Sequence, residues 1–154
     1  MVSRVYIDTS IVGGFFDDEF SVDTKALFMR LKNREIVFII SSVLQQELQK
    51  APDNVRKLLA QYDSACFEYV ELTEEAILLA DSYIAEKVIG KTGIDDCRHI
   101  ALATIHKADV LASWNFKHIV NLDRIKGYNG VNLKHGYSVV EIRSPKELLK
   151  YDKE

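Results

Sequence analysis

Asp8, Glu47, Asp96 and Asn115 are the side chains in this 154-residue sequence whose types and placing carry chemistry. Asp8 ends the short apolar run Val5-Tyr6-Ile7, the pattern of a buried strand that delivers an acid into the following loop. Glu47 interrupts an apolar helical stripe of Val43, Leu44, Leu48 and Ala51, although Gln45, Gln46, Gln49 and Lys50 already supply a polar face. An ionised carboxylate in such a stripe costs on the order of several kcal/mol unless it has a partner, a raised pKa or a bound cation. Asp96 falls in the first turn of a helix predicted from near Asp95 to His106, on the inward shoulder above Ile100 and Ala103. Asn115 follows the apolar segment Asp109–Ser113. Clustered carboxylates repel one another, and no Cys or His pair has the spacing of a zinc site. Hard oxygen donors favour Mg²⁺ or Mn²⁺, and the chemistry such a set serves is metal-assisted phosphodiester hydrolysis.

The elements that must position these groups are readable from apolar periodicity. Strands are predicted at Val5–Ile7, Ile36–Ile40, Phe67–Leu72, Asp109–Ser113 and Tyr137–Ile142. Between them run helical patterns over Asp23–Asn33, Val43–Ala51, Asn54–Tyr62, a stretch from Thr73 to Val88, and the Asp95–His106 helix. On that last helix Ile94, Cys97, Ile100, Ala101, Thr104, Ile105 and Ala108 share the packed face. His99, Leu102 and His106 lie opposite, with Asp95 pointing their way. Gly127–Gly136 reads as a polar loop, and Ser144-Pro145-Lys146-Glu147 opens a terminal helix with Pro at its first position. Ser41-Ser42 supplies an N-cap to the helix that bears Glu47. Strands alternating with helices predict an α/β fold with a mainly parallel sheet covered on both faces. In such a sheet functional groups gather beyond the carboxyl ends of the strands, where these four residues fall.

The chain has the length of one domain, residues 1–154, and buries about two-thirds of its unfolded surface without needing a disulfide. Hydrophobic residues make up 47% and charged residues 28%. Neither a bilayer-spanning run nor a signal peptide is present in the sequence, which predicts a cytoplasmic protein with no membrane partner. Cys66 and Cys97 sit in apolar patterns and read as buried free thiols. A net charge of −3 rules out a global basic field, so nucleic-acid binding must come from a local patch or through metal ions.

Tyr6-Ile7-Asp8-Thr9-Ser10, Glu47 on the helix after the second strand, Asp96-Cys97-Arg98-His99-Ile100-Ala101-Leu102-Ala103, and Ala108-Asp109-Val110-Leu111-Ala112-Ser113-Trp114-Asn115 together resemble the successive motifs of the PIN domain. The match is nearest to the VapC-like ribonuclease toxins of prokaryotic type II toxin–antitoxin pairs and covers nearly the whole chain. The resemblance implies a three-layer α/β/α sandwich and a divalent-metal-dependent endoribonuclease acting on RNA. It implies Asp8, Glu47 and Asp96 as the catalytic acids that bind Mg²⁺ or Mn²⁺, supported by Thr9, Ser10, Asp95 and Ser113. It further implies a cognate antitoxin over the acidic groove and a homodimer. Where family members often carry a fourth acid, this chain has Asn115, which ligates through its carbonyl oxygen without adding charge.

Lys91, Arg98, Lys117 and His118 flank the acidic edge in sequence and are candidates for holding the substrate backbone, with solvated surface positions as the alternative. Asp95 reads as the N-cap of its helix before it reads as a ligand. Trp114 and Phe116 suit core packing better than base stacking. Two other classes compete with the nuclease. A PIN-like RNA- or protein-binding module that has lost turnover would follow from Asn115. A phosphoacceptor receiver domain needs paired acids after its first strand and an acceptor Asp after its third, and Asp8-Thr9-Ser10 and Glu71-Leu72-Thr73 supply neither.

Overall fold

The computed structural model describes residues 2–151. In chain order its elements are β1 (Ser3–Ile7), α1 (Thr9–Gly14), α2 (Ser21–Lys32), β2 (Ile36–Ser41), α3 (Ser42–Leu48), α4 (Asp53–Arg56), β3 (Phe67–Val70), α5 (Glu74–Ala85), α6 (Ile94–Ile105), β4 (Val110–Ala112), α7 (Leu122–Lys134), β5 (Ile142–Arg143) and α8 (Pro145–Tyr151). The five strands form one sheet in the order β3-β2-β1-β4-β5, and every pairing is parallel. Parallel strands need crossover connections, and the helices that supply them cover both faces. The result is the α/β/α sandwich expected from the alternating pattern.

β1 is the central strand, and its alternation divides the core. Tyr6 turns to one face, where it joins Ile39, Tyr83, Ile100, Ala103 and Leu111 beneath α5, α6 and α7. Val5 and Ile7 turn to the other, with Ile11, Leu27, Phe28, Phe38 and Trp114 beneath α1 and α2. Both clusters are closed to solvent, so the strand registers are fixed: a slip by one residue would exchange the two faces. Cys66 and Cys97 are buried and unpaired. No described helix is long and apolar enough to cross a membrane.

Several sequence expectations need correction. The helix predicted over 54–62 is the single turn α4 followed by a 3₁₀ turn at Leu59–Gln61. The last strand is Ile142–Arg143 alone, later than predicted. The predicted loop Gly127–Gly136 lies mostly within α7: Asn121 caps it, accepting from the Arg124 amide at 3.2 Å, and Tyr128 and Val131 bury one side. Gly127 is needed there because a Cβ would come within 2.6 Å of Val88 Cγ1. Gly136, at φ +86°, ends the helix with its own amide on Leu133 and the Tyr137 amide on the Asn132 carbonyl. The outward face assigned to His99 and Leu102 is buried, with the two residues 1% and 0% exposed. α6 is enclosed on nearly every side, by α5, α3 and β4.

Candidate active site

Asp8 leaves the central strand and occupies the N-cap position of α1, yet its side chain makes no capping bond. Its two oxygens instead accept from two serine hydroxyls, Oδ1 from Ser10 Oγ and Oδ2 from Ser113 Oγ, each at 2.6 Å. Ser10 Oγ accepts the Trp114 amide at 2.8 Å, and Ser113 Oγ accepts the Asn115 amide at 2.9 Å. Both hydroxyls are thereby oriented by the backbone after β4, and Asp8 is locked across the carboxyl ends of β1 and β4. Only 4% of Asp8 is exposed. Burial pushes its carboxyl up from the ordinary aspartate range. The charge of His99 and the two serine bonds pull it down, and the nearby charge of Asp96 adds to the rise.

Asp96 sits in the first turn of α6, with its side chain 24% exposed, while Asp95 beside it faces solvent. The inward-and-outward pair therefore stands as the helical wheel placed it. Asp95 is not the N-cap, because α6 begins one residue earlier at Ile94 and the cap position falls on Gly93. Asp96 Oδ2 lies 3.0 Å from His118 Nδ1 and 3.4 Å from Asn115 Nδ2. The Asn115 carbonyl oxygen accepts the amides of Lys117 and His118 at 3.2 and 3.0 Å. In this arrangement that side-chain oxygen faces the backbone amides of the turn, and the Asn115 NH₂ faces Asp96.

Glu47, a third exposed, reaches back to α6, where Oε1 lies 2.6 Å from His99 Nε2. Burial opposes its charge, but the bond and charge of His99, with Thr9 adding to them, hold its carboxyl below the usual glutamate range. Thr9 Oγ1 is buried and completes no hydrogen bond at ordinary geometry, so its help is one of proximity. His99 Nδ1 is 2.7 Å from the Tyr6 hydroxyl, which is 2.9 Å from Ser41 Oγ. Ser41 caps α3, accepting the Leu44 amide at 3.1 Å. A buried chain Ser41–Tyr6–His99 therefore links β1, β2 and α6 and ends on Glu47. Sequence reasoning missed it. The signal was available: Leu102, three residues after His99, is a large apolar side chain on the same supposedly solvated face.

The acids thus fall toward one end of the sheet, with Asp8 feeling the charge of Asp96 and Glu47 joined to α6 through His99. Each is engaged by a protein partner, and among the described residues no three His, Cys, Asp or Glu side chains close into a group able to hold a metal ion. The donor set is nonetheless of the hard-oxygen kind, and a cation beside Asp8 and Asp96 would relieve the burial and repulsion that disfavour the ionised Asp8. A groove of about 600 Å³ opens beside Glu47, lined among others by Thr9, Gln46, Gln49, Lys50 and Asp95. Of the substrate candidates, only His118 contacts an acid among the described residues. Lys91 and Lys117 are exposed on the turns that precede α6 and follow β4, and Arg98 is half-buried with its Nε unbonded. Trp114 is buried and stacked on Phe20 at 4.2 Å, whereas Phe116 is 49% exposed.

The sequence matches no protein-family model and no curated protein. The fold matches several solved structures. VapC20 of Mycobacterium tuberculosis, described as a Sarcin-Ricin loop cleaving toxin, superposes with a TM-score of 0.58 at 12% identity, over 73% of this chain and 91% of that one. FitAcB from Neisseria gonorrhoeae gives 0.56 at 12% identity, over 92% and 97%. VapBC2 from Rickettsia felis, bound to a DNA fragment from its promoter, gives 0.54 at 16% identity, over 92% and 98%. With its five-stranded parallel sheet and flanking helices, this chain has the PIN-like fold seen in VapC toxins and in VapBC and FitAB toxin–antitoxin structures.

Proposed function

We propose that this chain is a divalent-metal-dependent endoribonuclease, acting as the toxin of a type II toxin–antitoxin pair. The observation that carries the reading is Asp8: buried at the helix start, excused from capping, gripped by two oriented serine hydroxyls and within the reach of the Asp96 charge. A purely structural acid gains nothing from a like charge beside it, whereas a cation site requires one. Asp8 and Asp96 would hold Mg²⁺ or Mn²⁺, with Glu47 as the third acid. When bound, the ion orients a water and offsets charge on the scissile phosphate. Ser10 and Ser113 fix the direction of the Asp8 oxygens, and His99 keeps Glu47 ionised and aimed toward α6. His118 holds the outer oxygen of Asp96. The likeness to VapC20 and to toxin–antitoxin complexes supports RNA as the substrate and an antitoxin as a partner. A second copy of the chain, completing a homodimer, belongs to the same proposal. A cytoplasmic location follows from that role.

The test is cleavage of RNA with Mg²⁺ or Mn²⁺ and with EDTA. Metal-dependent cleavage that Asp96→Asn lowers by at least a hundredfold is the expected result; cleavage that is indifferent to metal or to that substitution overturns the reading. A second reading, a PIN-like binding module without turnover, is favoured by Asn115, whose carbonyl oxygen is spent on backbone amides. It predicts RNA or protein binding with no cleavage under either ion.

A further inference from the structure

The turn between α5 and α6 and the first turns of α7 border a shallow, open depression of about 300 Å³ lined by Ile84, Lys87, Ile89, Gly90, Lys91 and Arg124. Three cations line it and no acid does, in a chain whose net charge is −3. None of the three forms an ion pair among the described residues. Glu86, next to Lys87, is already engaged by Lys134 and His135, at 3.0 and 3.1 Å. Asp123, next to Arg124, is exposed and does not line the depression. Arg124 is held in place: its guanidinium donates to the Val88 carbonyl, and Gly127 seats α7 directly on Val88. Lys87 sits at φ +64°, the left-handed conformation that turns the chain sharply after α5. Unpaired like charges brought together on fixed backbone repel, and an anion removes that cost.

The place of this depression gives it a use. Lys91 begins the 3₁₀ turn Lys91–Gly93 that runs into α6, and Asp96 follows in the first turn of that helix. At about 2.0 Å of rise per 3₁₀ residue and 1.5 Å per α residue, Lys91 and Asp96 are separated along the backbone by roughly 10 Å. That is about three nucleotides of a stacked strand at roughly 3.4 Å each. We infer that Lys87, Lys91 and Arg124 form a phosphate subsite that grips the RNA backbone a few nucleotides from the acids. The inference rests on the ribonuclease reading above for the identity of the polyanion. The contacts are to phosphate, so they contribute affinity and register but no base preference.

The test is the binding of a fluorescein-labelled single-stranded RNA 12-mer in EDTA, followed by anisotropy from 50 to 200 mM salt. Wild type is compared with Lys87→Ser/Lys91→Ser and with the triple variant that adds Arg124→Ser. Because Arg124 also supports Val88, the double variant, which breaks no hydrogen bond, keeps the test valid if the triple variant melts early. With three phosphate contacts at about 0.7 each, the slope of log K against log salt falls in magnitude by about 2 in the triple variant and about 1.4 in the double. Affinity at 50 mM salt drops at least tenfold in the triple variant, while Lys25→Ser, on α2, leaves both quantities unchanged. Wild-type affinity and slope in the double and triple variants overturn the subsite. If those variants keep RNA binding while wild type cleaves RNA with Mn²⁺, the subsite falls and the ribonuclease reading stands. If wild type neither binds nor cleaves RNA, the ribonuclease reading falls and the subsite with it.

Discussion

Replacing Asp8 by Asn should stabilise the metal-free fold while removing the proposed activity. As an anion Asp8 carries a desolvation cost of several kcal/mol, the order of magnitude for a buried ion, and the Asp96 charge adds to it. Against that stand two hydroxyl bonds to a charged acceptor, each worth about 1.5–3 kcal/mol. In the amide the oxygen accepts from one serine and the NH₂ donates to the other, whose hydroxyl must turn, so each bond falls to about 0.5–1.5 kcal/mol. The difference leaves a net gain of about 1–3 kcal/mol at neutral pH. For a chain of this length that is a rise in Tm of about 3–10 °C, read by circular dichroism at pH 7.5 in EDTA. The pH dependence has a definite sign. Asp8 is raised in the folded state, so it costs nothing below its unfolded value near 3.9, and the cost grows as pH climbs through the folded value. The advantage of Asp8→Asn should therefore shrink as the pH falls toward 4. A variant that melts at or below wild type at pH 7.5 would refute the reasoning, because it would make Asp8 an ordinary structural acid.

Two further outcomes are expected. Gly127→Ala drives a Cβ to 2.6 Å from Val88 Cγ1 and should cost about 1–3 kcal/mol, whereas Gly130→Ala, with nothing within 4 Å, should gain about 0.5–1 kcal/mol; urea unfolding of the pair separates a close approach from a mere helix glycine. Glu47 is held low in the folded state, so it supports the fold above its unfolded value and loses that support as pH falls through the folded one. Glu47→Gln should cost about 1 kcal/mol at pH 7, a modest figure because a third of the side chain is in water, and nothing near pH 3; an equal deficit at both would contradict the His99 pairing.

The strands and the helices that carry the acids were legible because their signals are local. Val5-Tyr6-Ile7 and Ile36–Ile40 are continuous apolar runs, Ser41 is a capping residue in the right place, and Glu47 is conspicuous in an apolar stripe. Ser144 and Glu147 cap the terminal helix reciprocally, as their spacing announces. What was not legible depends on tertiary context. A helical wheel assumes one wet face, and α6 has almost none, so His99 read as outward when it is the buried link between Tyr6 and Glu47. α7 was hidden by Gly127 and Gly130, since a glycine admitted for close packing looks the same in sequence as a turn. The Leu122, Ile125, Tyr128, Val131 period and the Asn121 cap were the signals that outweigh them. The orientation of Asn115 was not legible either, because its position after β4 says nothing about which way its amide turns.

Calorimetric titration of Mn²⁺ into wild type, Asp8→Asn and Asp96→Asn tests the central claim most directly. Binding by the wild type that each substitution weakens at least tenfold is the result predicted from a cation shared by Asp8 and Asp96, whose charges already act on one another. Equal affinity in all three proteins, or none in the wild type, would contradict it.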